Sequence, residues 1–164
     1  MSLTIEFQPS EAEALYVADR LRERQASYLK DLQVSPGWLM ITNTELSHYI
    51  WVVKAEGVPI SILGIADFPE ENTGLVWTMS TEDVHKHPIS FTKEIINLLR
   101  TQKYYDYLVS FVVEENTKYQ AFHDFVGFTY SGEVYVAEKD KVRFLRFDYI
   151  SNKGIKTLYQ GESL

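Results

Sequence analysis

The seven residues Tyr107–Val113 (Tyr-Leu-Val-Ser-Phe-Val-Val) form a nearly unbroken apolar run of strand length. Such a run suits a strand covered on both faces in the middle of a sheet. Residues 116–126 follow with helical spacing. Asn116 is suited to cap that helix and Gly127 to end it with a positive φ. Phe128 then packs the returning strand against the core. A strand–helix–strand unit with a buried first strand therefore anchors the chain, and the remaining elements must cover it.

Upstream, residues 4–8 read as a short strand, and Pro9, Ser10 and Glu11 give a helix-start signal. Apolar positions recur at helical spacing from Glu11 to about Leu32, compatible with one long helix or two short ones. Pro36 and Gly37 mark a turn, and residues 38–48 are ambiguous between helix and strand. Residues 49–54 suit a strand, Glu56 and Gly57 a hairpin turn, and residues 59–68 the next strand. After a break over 69–74, residues 75–79 form another strand, giving two expected antiparallel hairpins. Residues 88–102 carry an apolar stripe with Pro88 in the first turn, which predicts a helix. Residues 128–137 and 141–149 alternate well enough to close as a hairpin, whereas 151–164 lack periodicity and read as a C-terminal tail. The expectation is an α+β domain over residues 1–150: a central, mostly antiparallel mixed sheet of about seven strands flanked by about four helices.

Composition narrows the function. The 164 residues suit one domain, and the absence of Cys removes disulfides and thiolate chemistry. A formal charge of −7 opposes phosphate attraction, so nucleic acid is not an expected partner, while a cationic amine or a basic protein surface is compatible. The apolar run at 60–66 is far shorter than the roughly 20 residues of a membrane span, and residues 1–7 show no secretory pattern. His85 and His87 lack a partner at metal-ligand spacing, so no metal site is expected. Tyr104, Tyr105 and Tyr107 are open to two readings, a contact surface for self-association or ordinary aromatics of a sheet-rich core.

The block from Asn116 to Phe128 resembles the second conserved block of the GNAT superfamily of N-acetyltransferases, written N-x-x-A-x-x-x-Y-x-x-x-G-F. Asn116, Gly127 and Phe128 match it without a gap; Tyr119 replaces the alanine and His123 the tyrosine. The resemblance implies a GNAT-like fold and an acetyl-CoA site, with Trp77, Thr78 and Met79 meeting the pantetheine arm and Asn116 pointing its amide at the ligand. The pyrophosphate loop of that superfamily, Q/R-x-x-G-x-G/A, corresponds here to residues 80–90, which contain no glycine. Lys86, His87 and Ser90 are the phosphate-facing candidates, helped by the helix beginning near Pro88. Glu82 and Asp83 oppose that role, and Pro88 removes one donor.

A narrower similarity covers roughly residues 47–130. The segments 49–53, 57–66 and 74–81, together with His87 and Pro88, resemble an acetyltransferase-like family of tailed-phage proteins that includes internal virion proteins and shares the glycine-free His-Pro loop. It implies a phage or prophage origin and a location in the host cytoplasm or the virion. Two functions stay open. One is an acyl-CoA-dependent N-acetyltransferase with His123 as acid and Glu114 as base. The other is a non-catalytic internal virion or assembly protein that binds phage components. His123 can equally be a packed core histidine, and Glu114 and Glu115 a solvated pair.

Overall fold

The computed structural model describes residues 3–162. In chain order the elements are β1 (Leu3–Phe7), α1 (Glu11–Ala18), α2 (Glu23–Asp31), α3 (Pro36–Leu46), β2 (Ser47–Ala55), β3 (Val58–Asp67) and β4 (Thr73–Ser80). A 3-10 turn (Glu82–Lys86) leads to α4 (Pro88–Thr101), β5 (Tyr107–Val113), α5 (Thr117–Val126), β6 (Thr129–Val136), β7 (Arg143–Ile150) and α6 (Asn152–Glu162). The strands form a seven-stranded sheet in the order β1-β2-β3-β4-β5-β7-β6, an α+β architecture as expected. The chain groups into two compact units, Met1–Asp67 with Val76–Glu94, and Phe68–Leu75 with Ile95–Leu164. Among the described residues no helix is long and apolar enough to cross a membrane.

In the first unit β1 and β3 both run antiparallel to β2. Glu56 and Gly57 have φ of 51° and 80°, the consecutive positive values that match a tight hairpin turn to the strand twist. The expected helical stretch between Glu11 and Leu32 is two helices. The first is fixed by a reciprocal cap: Glu13 N–H donates to Ser10 Oγ (3.1 Å) and Ser10 N–H to Glu13 Oε1 (2.9 Å). The turn expected at Pro36 and Gly37 is instead the first turn of α3. Ser35 accepts from the Trp38 N–H, and Pro36 occupies a position whose N–H needs no partner. The ambiguous stretch thereby resolves as helix to Leu46 and strand from Ser47. Val17, Leu29, Met40, Val52, Ile62 and Met79 form the buried cluster of this unit.

β4 and β3 also fix one aromatic ring. Trp77 lies against Gly64, where an added Cβ would overlap its indole, and its Nε1–H donates to Ser47 Oγ at 2.7 Å.

The second unit is built on β5, whose Leu108, Val109, Ser110 and Val112 are buried. It pairs antiparallel with β7 along its whole length, from Tyr107↔Ile150 to Val113↔Phe144. Its ladder with β4 is parallel and comprises Thr73↔Tyr107, Gly74↔Leu108 and Leu75↔Val109. Gly127 ends α5 with φ 111°, as the sequence predicts.

Residues 151–164, expected to lack regular structure, carry α6. Among the described residues there are thus six α-helices, against the about four expected. The Ser151 N–H and Oγ–H both donate to the Asp106 carbonyl at 3.0 Å, and Gly154 sits so close to that carbonyl that a Cβ would collide with it. Docking through a backbone carbonyl and a glycine leaves little trace in apolar spacing.

Gly64→Ala is expected to lower the unfolding free energy by about 1–3 kcal/mol, because the indole must shift in a filled core. Urea denaturation followed by tryptophan fluorescence measures this; an unchanged midpoint contradicts the packing.

Candidate functional site

Within the first unit, the C-terminal half of β4 has an informative edge. The Thr81 N–H donates to Ile60 O of β3 at 2.9 Å. Strand alternation then turns the backbone groups of Thr78 and Ser80 toward the opposite edge. Those groups are met by the segment entering α2. Gln25 Nε2 donates to Thr78 O (3.2 Å), the Ser80 N–H donates to Gln25 Oε1 (3.4 Å), and the Arg22 N–H donates to Ser80 O (3.0 Å). Met79 is buried in the core and the Trp77 ring is held by Gly64 and Ser47. Of residues 77–79, Thr78 turns its backbone groups to that edge.

The segment after β4 begins with Thr81, whose Oγ1 accepts from the Asp83 N–H at 3.3 Å and caps the 3-10 turn. Lys86 Nζ is 3.0 Å from Asp83, and His85 Nε2 is 3.4 Å from Glu82. The acidic residues thus engage the Lys86 ammonium and the His85 ring. These pairs are exposed and weak. His87 closes the turn, its carbonyl accepts from Phe91 N–H at 2.9 Å, and Ser90 lies in the first turn of α4.

In the second unit Asn116 caps α5: its Oδ1 accepts from the Tyr119 N–H at 3.1 Å. Glu114, which closely follows β5, is ion-paired with Arg143 of β7. His123 is 4% exposed, packed edge-on by Tyr119 at 4.4 Å and by Phe128 at 5.1 Å. Its Nδ1 lies 2.8 Å from Tyr119 O and its Nε2 2.8 Å from Ser110 Oγ. A carbonyl only accepts, so Nδ1 carries the proton. Neutral Nε2 then accepts from the Ser110 hydroxyl. Burial pushes the imidazole below its ordinary pKa, partly opposed by the bond to Tyr119 O. As arranged, His123 is a neutral acceptor, and the proton on its Nε2 side belongs to Ser110.

The structure thus places Asn116, His123 and Glu114 around β5 and α5 of one unit, and Trp77, Thr78, Met79, Lys86, His87 and Ser90 along one continuous segment of the other. Three partners escaped the sequence reading. Ser110 had a signal, as the hydroxyl inside an otherwise apolar or aromatic run. Gln25 and Arg143 had none, because a polar residue on an amphipathic helix or a strand is ordinary.

No protein-family model and no curated protein matches the sequence. Solved structures do match. A chimera of the spermidine N-acetyltransferase SpeG from Vibrio cholerae and hSSAT is similar at TM-score 0.70 and 14% identity, covering 94% of this chain and 99% of that one. An IAA acetyltransferase from Bacillus cereus gives 0.61 and 14%, covering 91% and 99%. An acetyltransferase of the GNAT family from Streptococcus pneumoniae gives 0.59 and 9%, covering 92% and 100%. The chain has a GNAT-like fold.

Linkage gives His123 a testable signature. A folded-state pKa held below the unfolded value of about 6.5 stabilises the protein fully above that value and progressively less as pH falls through it. Urea unfolding at about pH 7 and about pH 5 should show lower stability at the acid end, with a smaller drop in His123→Gln. An unchanged drop in that variant contradicts a neutral buried imidazole.

Proposed function

We propose that this protein is an acyl-CoA-dependent N-acetyltransferase of phage or prophage origin with an atypical pyrophosphate loop, its functional domain spanning residues 1–150. The observation that carries this is the backbone edge of β4 at Thr78 and Ser80, in a chain whose fold is that of acetyltransferases and whose β4 begins in a parallel ladder with β5. On that edge the Gln25 carboxamide meets Thr78 O and the Ser80 N–H, and the Arg22 N–H meets Ser80 O. Backbone groups of this kind suit the amides of a pantetheine arm, which can add to a strand edge as a peptide does.

In this reading the main chain of Thr78 pairs with pantetheine, and Trp77 and Met79, whose backbone groups face β3, flank it and hold that edge in place. The N-terminus of α4, with Lys86, His87 and Ser90, faces the pyrophosphate. The fit is better at the arm than at the phosphates, where no glycine allows close approach and Lys86 is paired with Asp83. The acyl thioester supplies the electrophile. An amine nitrogen attacks the carbonyl carbon, the C–S bond breaks as the C–N bond forms, one amine proton passes to a base, and the leaving thiolate takes its proton from solvent. Glu114 is the proposed base once released from Arg143. His123 acts through the Ser110 hydroxyl, and Asn116 orients the first turn of α5. The acceptor is an amine, compatible with the net charge of −7.

The glycine-free loop and its Lys86–Asp83 pair favour a second reading, a non-catalytic internal virion or assembly protein in host cytoplasm or particle. Calorimetry separates the two. Micromolar acetyl-CoA binding is expected, strengthened about threefold to tenfold in Asp83→Asn as Lys86 is freed and a repelling carboxylate removed. Absent or millimolar binding in both proteins supports the non-catalytic reading.

A further inference from the structure

The carboxamide of Gln25 sits on β4 as one amide of a neighbouring strand would. Its Nε2–H donates to Thr78 O and its Oε1 accepts from the Ser80 N–H, two residues along the same edge. A paired strand meets an edge with that donor and acceptor spacing. The two contacts measure 3.2 and 3.4 Å, longer than the usual 2.9–3.0 Å, so they satisfy the edge weakly. The main-chain bond beside them, Arg22 N–H to Ser80 O, is 3.0 Å, and the Glu23 N–H is held by Glu82 at 2.7 Å. Firm contacts to backbone N–H groups thus fix the start of α2, and a flexible side chain meets Thr78 O and the Ser80 N–H.

We infer that Gln25 is a displaceable gate on the β4 edge: its carboxamide stands where an amide of the acyl carrier pairs, and the carrier must displace it to bind. This rests on the acyl-CoA reading and adds to it a residue that sets affinity for a linear, amide-bearing ligand. A side chain can leave by rotamer changes alone, without moving α2. Burying Thr78 O and Ser80 N–H unpaired is costly, so Gln25 protects the edge whenever the carrier is absent. The carrier's gain on binding is reduced by the two bonds it replaces.

The test compares wild type, Gln25→Met and Gln25→Ala by calorimetry with acetyl-CoA, with unfolding midpoints as the control for folding. Met keeps the stem and the helix propensity while deleting the carboxamide. Both variants should bind acetyl-CoA about tenfold more tightly than wild type, as two weak bonds no longer compete. In the unliganded proteins the Ser80 amide should exchange with solvent faster in both variants. Wild-type binding with equal or weaker affinity in the variants overturns the gate and leaves the acyl-CoA reading standing. Absence of binding in all three proteins, with Ser80 exchange accelerated in the variants, overturns the acyl-CoA reading and the gate with it. Unchanged Ser80 exchange in both variants overturns the gate on its own.

Discussion

The need of β4 to satisfy its backbone groups along its whole length is the constraint on which the structure turns, since unpaired buried amides are costly. β4 solves this with different partners along its length. Its start belongs to the ladder with β5, whereas Thr78 and Ser80 are met by Arg22 and Gln25 from the segment entering α2. The core then takes what the backbone does not need. Met79 is buried, and the Trp77 indole fits against β3 only because residue 64 lacks a Cβ.

Three of the polar candidates are engaged within the protein. Lys86 is paired with Asp83, Glu114 with Arg143, and His123 with Ser110 and a carbonyl. For the exposed pairs this costs a ligand little, because such ion pairs are weak and exchange readily with water. The buried imidazole is different. Both of its nitrogens are satisfied, its neutral form is favoured by burial, and proton movement at Nε2 requires the serine hydroxyl. Chemistry at this position therefore involves two residues.

Much of the fold was legible because it rests on periodicity and local chemistry. The apolar run of β5, the stripe of α4, and the positive-φ turns at Gly57 and Gly127 all leave marks within a few residues. What was not legible depends on distant partners. Pro36 and Gly37 look like a turn until Ser35 is seen to cap α3. α6 docks through the Asp106 carbonyl and Gly154, which have no hydrophobic signature. At the candidate site, Asn116 as a cap was readable from spacing. The Gln25 carboxamide on β4 lies 53 residues from Thr78 and has no local cue.

The central claim is that the C-terminal edge of β4 is a ligand-pairing edge. Amide chemical-shift mapping during titration with acetyl-CoA tests it most directly. The account predicts that the largest main-chain perturbations fall on Thr78 and Ser80 and on the first turn of α4, accompanied by a shift of the Gln25 side-chain amide. Perturbations confined to other parts of the chain, or none at saturating ligand, would contradict it.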